Sequence, residues 1–580
     1  MQRRYLRHQF FALISILMLA VFLFQTTTGR DAESTRAAEA TKSSYIVQAS
    51  SAAVAETAVI TVGGRITATL NIINAVGAEL NEKQLNLLRS QSEQIKVFRD
   101  ETLEVSGRPG KKSKRSGSVP GPAPDPLIVF GSARETHYPT LVGANRIHEQ
   151  NITGNGVTIA VLDTGLWQNP ALRYSAKKKR RVIATYDALY NGSDTDDWNG
   201  HGTHITSIMT SSNRTDSGNY QGIAPNANVV VVRAFEPDGS GSYLSVIKAL
   251  DWIVSHKNKY KIRILNLSFS APARSHYWDD PVNQAVMAAW KKGIIVVVAA
   301  GNGGPGPMTV GVPGNVPYVI TVGAMTDNYT PDDTSDDKLS SFSAAGPTVE
   351  GFVKPDLLAP GGHMLGMMPA YAWLPLEYPD YVLPVDQYFT MSGTSQATAV
   401  VSGVLALMLE ADSKLQPDDA KCQLMVSARA AELDDGTHAY SVFQQGAGRV
   451  DAIAAINEST AGCDNRGMNI KDDLSGAMHY AGSAGVDEYG TYYLVDDFGQ
   501  KMSESAYEWS QGSLWPGGAI WPERSIWYQG SLWNSGVLWD QASSLNKDSL
   551  VSQGSIWPQG SLWTQSLSAP AAAYVWVNQE

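Results

Sequence analysis

Residues 389–403 read FTMSGTSQATAVVSG. A small-residue turn, Gly393-Thr394, delivers Ser395 to the start of an apolar helix expected over 396–411. A hydroxyl on a tight strand-to-helix turn, with backbone N–H groups close by, is the environment a nucleophilic serine needs. Gly-Thr-Ser-x-Ala also opens ordinary capped helices. The rest of the chain must therefore supply a base, an acid to orient it and an oxyanion donor.

Working outward, apolar β-branched runs recur at 157–162, 229–235, 262–269, 294–299 and 319–322. Continuous runs of this kind suit strands buried on both faces. Amphipathic helices over 243–257 and 282–292 lie between them. The alternation predicts an α/β domain over 137–457, a doubly wound parallel sheet whose ligands bind at the carboxyl ends of the strands.

Three strand or helix boundaries carry polar residues of the required kinds. Run 157–162 ends in Asp163-Thr164-Gly165, and a carboxylate there needs a cationic or hydrogen-bonding partner. Asn199-Gly200-His201-Gly202-Thr203-His204 precedes a helix, and its glycines allow close packing around one free imidazole. His201 and His204 lack the spacing of a zinc site, so no metal is assigned; His204 is expected to bond backbone. Ala299-Ala300-Gly301-Asn302 ends the run from 294, and an Asn amide can meet an oxyanion without titrating. Singly, each has an ordinary turn reading.

Taken together, VLDTG, NGHGTH, AAGN and SGTSQA resemble the subtilisin-like serine proteases, the subtilase family, over 137–457. VITVGA (319–324), FSAAGP (342–347) and KPDLLAPG (354–361) resemble further family segments. The order Asp, His, Ser is that of subtilisin. The resemblance implies a serine endopeptidase with Ser395 as nucleophile, His201 as base, Asp163 orienting His201 and Asn302 in the oxyanion hole. It also implies that substrate pairs as a strand with the segment containing Ser268, Phe269 and Ser270. The family usually has Gly where Ser270 stands and Pro where Ala399 stands, and Gln396 replaces a common Met. The Ser270 side chain is expected to crowd the strand-pairing edge. The acidic runs 194–197 and 332–337 fit no calcium-loop spacing and read as solvated turns; no cofactor is required, although subtilases often bind calcium.

The flanks supply the layout. Arg3, Arg4 and Arg7 precede the apolar run 10–24, which is shorter than the ~20 residues of a spanning helix; together they read as an export signal over 1–29. Secretion is the expectation, with an uncleaved membrane anchor as the second reading. Residues 44–106 read as a small α+β unit resembling the family's inhibitory propeptide, with helices near 50–58 and 81–90 and a final strand over 95–105. A Gly/Pro and basic linker over 107–136 is a natural processing region, which together makes a zymogen.

Beyond 464, Trp509, Trp515, Trp521, Trp527, Trp533 and Trp539 recur every six residues, and Trp557 and Trp563 resume the phase. An even period keeps these rings on one face of an extended chain, whereas six residues make about 1.7 helical turns. The C-terminal extension 464–580 is therefore expected to carry a repetitive β array over 509–563. Such an array could bind envelope, polysaccharide or protein, so a surface-binding protein with a secondary protease fold is the alternative function.

Composition limits the partners. The chain has 580 residues, 43% apolar, and a net charge of −11, which argues against nucleic acid and leaves protein substrates and its own propeptide. Its two cysteines, Cys422 and Cys463, exclude a disulfide-dense scaffold. Pairing them would add roughly 3–4 kcal/mol in the chain-entropy picture; two buried thiols are the other reading.

Overall fold

In a computed structural model the described residues are 41–92, 94–105, 135–383, 387–433, 436–496 and 500–502, with two short strands at Glu508–Ser510 and Val537–Leu538. The expected export signal, nearly all of the linker and nearly all of the tryptophan array lie outside them. The chain divides into two compact units between Asp100 and Glu101.

The first unit contains β1 (Ser43–Gln48), β2 (Arg65–Leu70), β3 (Ala75–Leu80) and β4 (Lys96–Arg99), in the antiparallel order β2-β3-β1-β4. Helices Ala52–Thr61 and Glu82–Gln91 follow β1 and β3. Asn81 and Gln84 form a capping box that starts the second helix, as an Asn three residues before Gln should. Val47, Val59, Val76, Leu80 and Leu88 make its core. The single strand expected over 95–105 is broken at Asp100. Its second half is β5 (Thr102–Glu104), which belongs to the second unit.

The second unit is built on an eight-stranded sheet. Its strands are β6 (Thr158–Asp163), β7 (Val182–Asp187), β8 (Asn228–Arg233), β10 (Ile262–Leu267), β11 (Ile295–Ala299), β12 (Ile320–Thr326), β13 (Lys338–Leu339) and β14 (Leu357–Pro360). The short β9 (Ser240–Ser242) stands apart from it. The order β13-β12-β11-β10-β6-β8-β7 is parallel except at β13, and β14 lies beside β12. β6, β11 and β12 are buried along their whole length, as suits their largely apolar sequences.

Helix Tyr243–Tyr260 begins at a Ser242/Ser245 capping box, and Pro281–Lys291 begins at Asp280, which accepts from Val282 and Asn283 N–H. Helix Thr394–Ala411 is buried at every position from Thr394 to Leu409. It passes so close to Ile223 that a Cβ on Gly403 would stand 2.5 Å from the Ile223 Cβ.

Cys422 and Cys463 are joined by a disulfide. Beside it lies a buried ionic cluster. Lys421 Nζ is 3.2 Å from Asp356 and 3.1 Å from Asp464, and Lys354 Nζ is 2.6 Å from Asp356. Lys421 also donates to the Pro317 carbonyl at 2.8 Å. Burial alone would lower the Lys421 pKa, but Asp356 and Asp464 together hold it above the ordinary lysine value. Its stabilising contribution is therefore complete below the ordinary lysine range and is lost only as pH climbs through the raised value.

Replacing Lys421 with Met leaves Lys354 alone against two buried carboxylates. Urea unfolding should show a loss of about 3–5 kcal/mol, the usual cost of breaking a buried pair from one side. A change below about 1 kcal/mol would contradict this reading of the cluster.

Candidate active site

The carboxyl ends of the central strands place the site. Asp163 is the last residue of β6, Ser268 follows β10 directly, and Asn302 lies just beyond β11. Two helix starts meet them, at His201 of helix His201–Thr210 and Ser395 of helix Thr394–Ala411.

His201 is the first residue of its helix. Gly200 before it has φ +106°, a left-handed conformation that favours glycine. Gly202 after it lies against the backbone of Gly165, where any Cβ would collide. These glycines bring the imidazole to β6. His201 Nδ1 lies 2.7 Å from Asp163 Oδ1, which also accepts from Thr164 N–H at 2.8 Å. With Nδ1–H donating to the carboxylate, Nε2 is left as the acceptor. Among the described residues His201 Nε2 and Asp163 Oδ2 have no hydrogen-bond partner.

Asn302 is tied to the serine turn. Its Oδ1 accepts from Thr394 N–H at 3.0 Å and Thr394 Oγ1 at 2.9 Å, which leaves its buried Nδ2 without a partner among the described residues. Ser395 is fully buried; its Oγ donates to Ser268 O at 3.0 Å, and Ser268 Oγ donates to Ser395 O at 3.2 Å. No hydrogen bond joins Ser395 to His201 Nε2. His204 links the two helices, with Nε2 donating to Phe389 O at 3.0 Å and Nδ1 3.5 Å from Gln396 Nε2. Burial and the neighbouring His201 push its pKa down to about 3, so it is a neutral packing group.

Asp197 corrects the sequence reading. The run 194–197 was expected to be solvated, yet Asp197 has no exposed surface. Its Oδ1 accepts from Thr164 Oγ1, Asn199 N–H and Gly200 N–H, and its Oδ2 from Thr203 N–H and Oγ1, at 2.7–3.1 Å. It therefore holds the first turn of the His201 helix against the strand end that carries Asp163. Its position four residues before His201 was the available signal, masked by the acids around it. Asp337 departs likewise from the solvated reading of 332–337: it is buried against Arg449 at 2.8 Å, and burial raises its carboxyl to about 7 despite that partner. Among the described residues no three His, Cys, Asp or Glu side chains converge as a metal site.

The three residues expected to bind substrate divide. Ser268 lies against Ser395, whereas the Phe269 ring is buried against Phe235 at 5.2 Å. Ser270 pairs with Glu104 in an antiparallel bridge, so the edge is not blocked as its side chain led us to expect. β5 runs antiparallel to β9, with Leu103 opposite Gly241, and Val105 N–H donates to Gly239 O at 3.0 Å. The chain's own strand thus lies between β9 and Ser270, as an added strand does in peptide recognition.

Comparison with known proteins agrees with this geometry. Residues 154–448 match the subtilase family, Peptidase S8. Serine protease AprX of Bacillus subtilis is 38% identical over 313 residues, which cover 53% of this chain and 67% of that protein. Alkaline serine exoprotease A of Vibrio alginolyticus is 27% identical over 450 residues, 75% of this chain and 69% of that protein. The crystal structure of fervidolysin from Fervidobacterium pennivorans, a keratinolytic enzyme related to subtilisin, has the same fold, with a TM-score of 0.54 at 19% identity over 72% of this chain and 61% of that one. The chain belongs to the subtilase family and is a serine endopeptidase of the subtilisin-like fold.

Asp197→Asn keeps the shape but turns an amide donor toward groups that donate. Leaving a buried donor unsatisfied costs about 1–3 kcal/mol. We expect that loss in urea unfolding, together with at least a tenfold slower reaction with a fluorophosphonate. Unchanged labelling at wild-type stability would contradict the role given to Asp197.

Proposed function

We propose that this is an exported serine endopeptidase made as a zymogen, with Asp163, His201 and Ser395 as its catalytic residues. The observation that carries the reading is the set of buried polar atoms left without partners at one site, Asp163 Oδ2, His201 Nε2 and Asn302 Nδ2. An orphaned buried polar atom costs stability, so a cluster of them marks a place where a ligand completes the bonding.

In this mechanism the Ser395 hydroxyl turns from Ser268 O and gives its proton to His201 Nε2 as Oγ attacks the scissile carbonyl carbon. Asp163 holds the imidazole tautomer and stabilises the imidazolium. Asn302 Nδ2 and the Ser395 N–H receive the oxyanion. The C–N bond then breaks, His201 passes the proton to the leaving amine, and water releases the acyl group by the reverse sequence. Side chains carry every step, and the reading assigns no cofactor. Substrates are proteins and peptides bound as a strand between β9 and Ser270.

Export rests on the charged and apolar pattern of residues 1–29, and the zymogen on the small unit preceding the cleft-bound β5. Among the described residues nothing favours the surface-binding alternative, nearly all of whose tryptophan array lies outside them.

Two experiments test the reading. Fluorophosphonate should label the processed protein and fail on Ser395→Ala, and intact mass should show that Ser395→Ala retains its leader region when no other protease is present. Equal masses for both proteins would refute self-processing. Asn302→Leu should lower kcat by about 10²–10³-fold with KM little changed, the magnitude measured for the equivalent donor in subtilisin.

A further inference from the structure

The side chain at Ser270 has a consequence beyond the pairing edge. Its backbone pairs with Glu104 while the next residue, Ala271, pairs with Val312. Ser270 therefore stands between the cleft and the segment that begins at Gly311. A Cβ on Gly301 would stand 2.9 Å from the Ser270 Oγ, and one on Gly311 would be closer still. The missing side chains of these two glycines make room for the Ser270 hydroxyl beside Asn302. The nearest side-chain atom beyond Ser270 at Gly301 is the Ala344 Cβ, at 3.8 Å.

The Ser270 hydroxyl thus stands close to Asn302 and the Ser395 turn. A bound peptide must present its carbonyl carbon to Ser395 Oγ and its carbonyl oxygen to Asn302 Nδ2. The side chain of that residue starts one bond from the carbon, next to Ser268–Ser270 on one side and Gly301–Asn302 on the other. We propose that Ser270 restricts this position to small side chains, so that the enzyme cleaves after Ala, Ser or Gly and rejects large aromatic residues. The inference rests on the endopeptidase reading above.

The chain's own register supports the same conclusion independently. A peptide bound in the register of Glu104 on Ser270 would set its residue two places further along opposite Ser268, whose carbonyl accepts from Ser395 Oγ. In this chain's sequence the residue two places after Glu104 is Ser106, which is small, and the bond that follows it is Ser106–Gly107. Self-processing should therefore consume one water at that bond, giving a Ser106 carboxylate and a Gly107 amine. It should not occur first within the basic run 111–115 that the linker sequence offers.

The test uses the processed protein from the full chain, with Leu-Glu-Val-Xaa p-nitroanilides in which Xaa is Ala or Phe. Wild type should favour Ala over Phe by at least tenfold in kcat/KM, the scale on which a pocket rejects an oversized group. Ser270→Gly should raise the Phe/Ala ratio at least tenfold, and Ser270→Ala, which removes only the hydroxyl, by less. Mass spectrometry of the first released leader fragment should place its end at Ser106. A wild-type preference for Phe, a ratio unmoved in both variants, or a first cut after Lys or Arg would overturn the inference while leaving the endopeptidase reading intact. Absence of fluorophosphonate labelling would instead remove that reading, and this one with it.

Discussion

A single hydrogen bond, between His201 Nδ1 and Asp163 Oδ1 at 2.7 Å, sets the terms for the rest of the molecule. Both groups are almost without exposure, so each needs the other to be tolerated where it is. The bond requires a carboxylate at the end of a central strand and a histidine in the first turn of a helix pressed against it. Left-handed Gly200, the side-chain-free Gly202 and the five acceptances of Asp197 all serve that approach. The second half of the site is fixed separately, through Asn302 on Thr394 and Ser395 on Ser268. His204 joins the two halves as a neutral strut.

Much of this was legible from residue order. Strands β6, β8, β10, β11 and β12 announced themselves because strands buried on both faces must be apolar throughout. Asp163, His201, Asn302 and Ser395 stood out because each sits among small residues at an element boundary. β7 did not, since it is half exposed along its middle and lacks an unbroken apolar run. Asp197 was hidden by its neighbours: composition reads an acidic run as solvated, and only the fold supplies the five donors that make its burial favourable. Helix boundaries shifted for similar local reasons, with His201 and Thr394 already inside helices expected to start later. The pairing of Cys422 with Cys463 depended on a three-dimensional approach that spacing alone left open.

The cleft shows how one substitution changes meaning with context. In sequence, Ser270 was an obstacle on a strand edge. In the structure the edge stays paired, because successive side chains leave a strand on opposite faces while its backbone remains available. The hydroxyl goes instead toward Gly301 and Gly311. Phe269 behaves in the complementary way, contributing its ring to the core.

The central claim is that Ser395 and Asn302 form one reacting centre although Ser395 Oγ rests on Ser268 O. Diffraction from the processed protein trapped with a peptide aldehyde tests it most directly. The account predicts a covalent bond from Ser395 Oγ to the aldehyde carbon, with the resulting oxygen about 2.7–3.1 Å from Asn302 Nδ2. An adduct on another residue, or a Ser395 adduct whose oxygen faces away from Asn302, would contradict it.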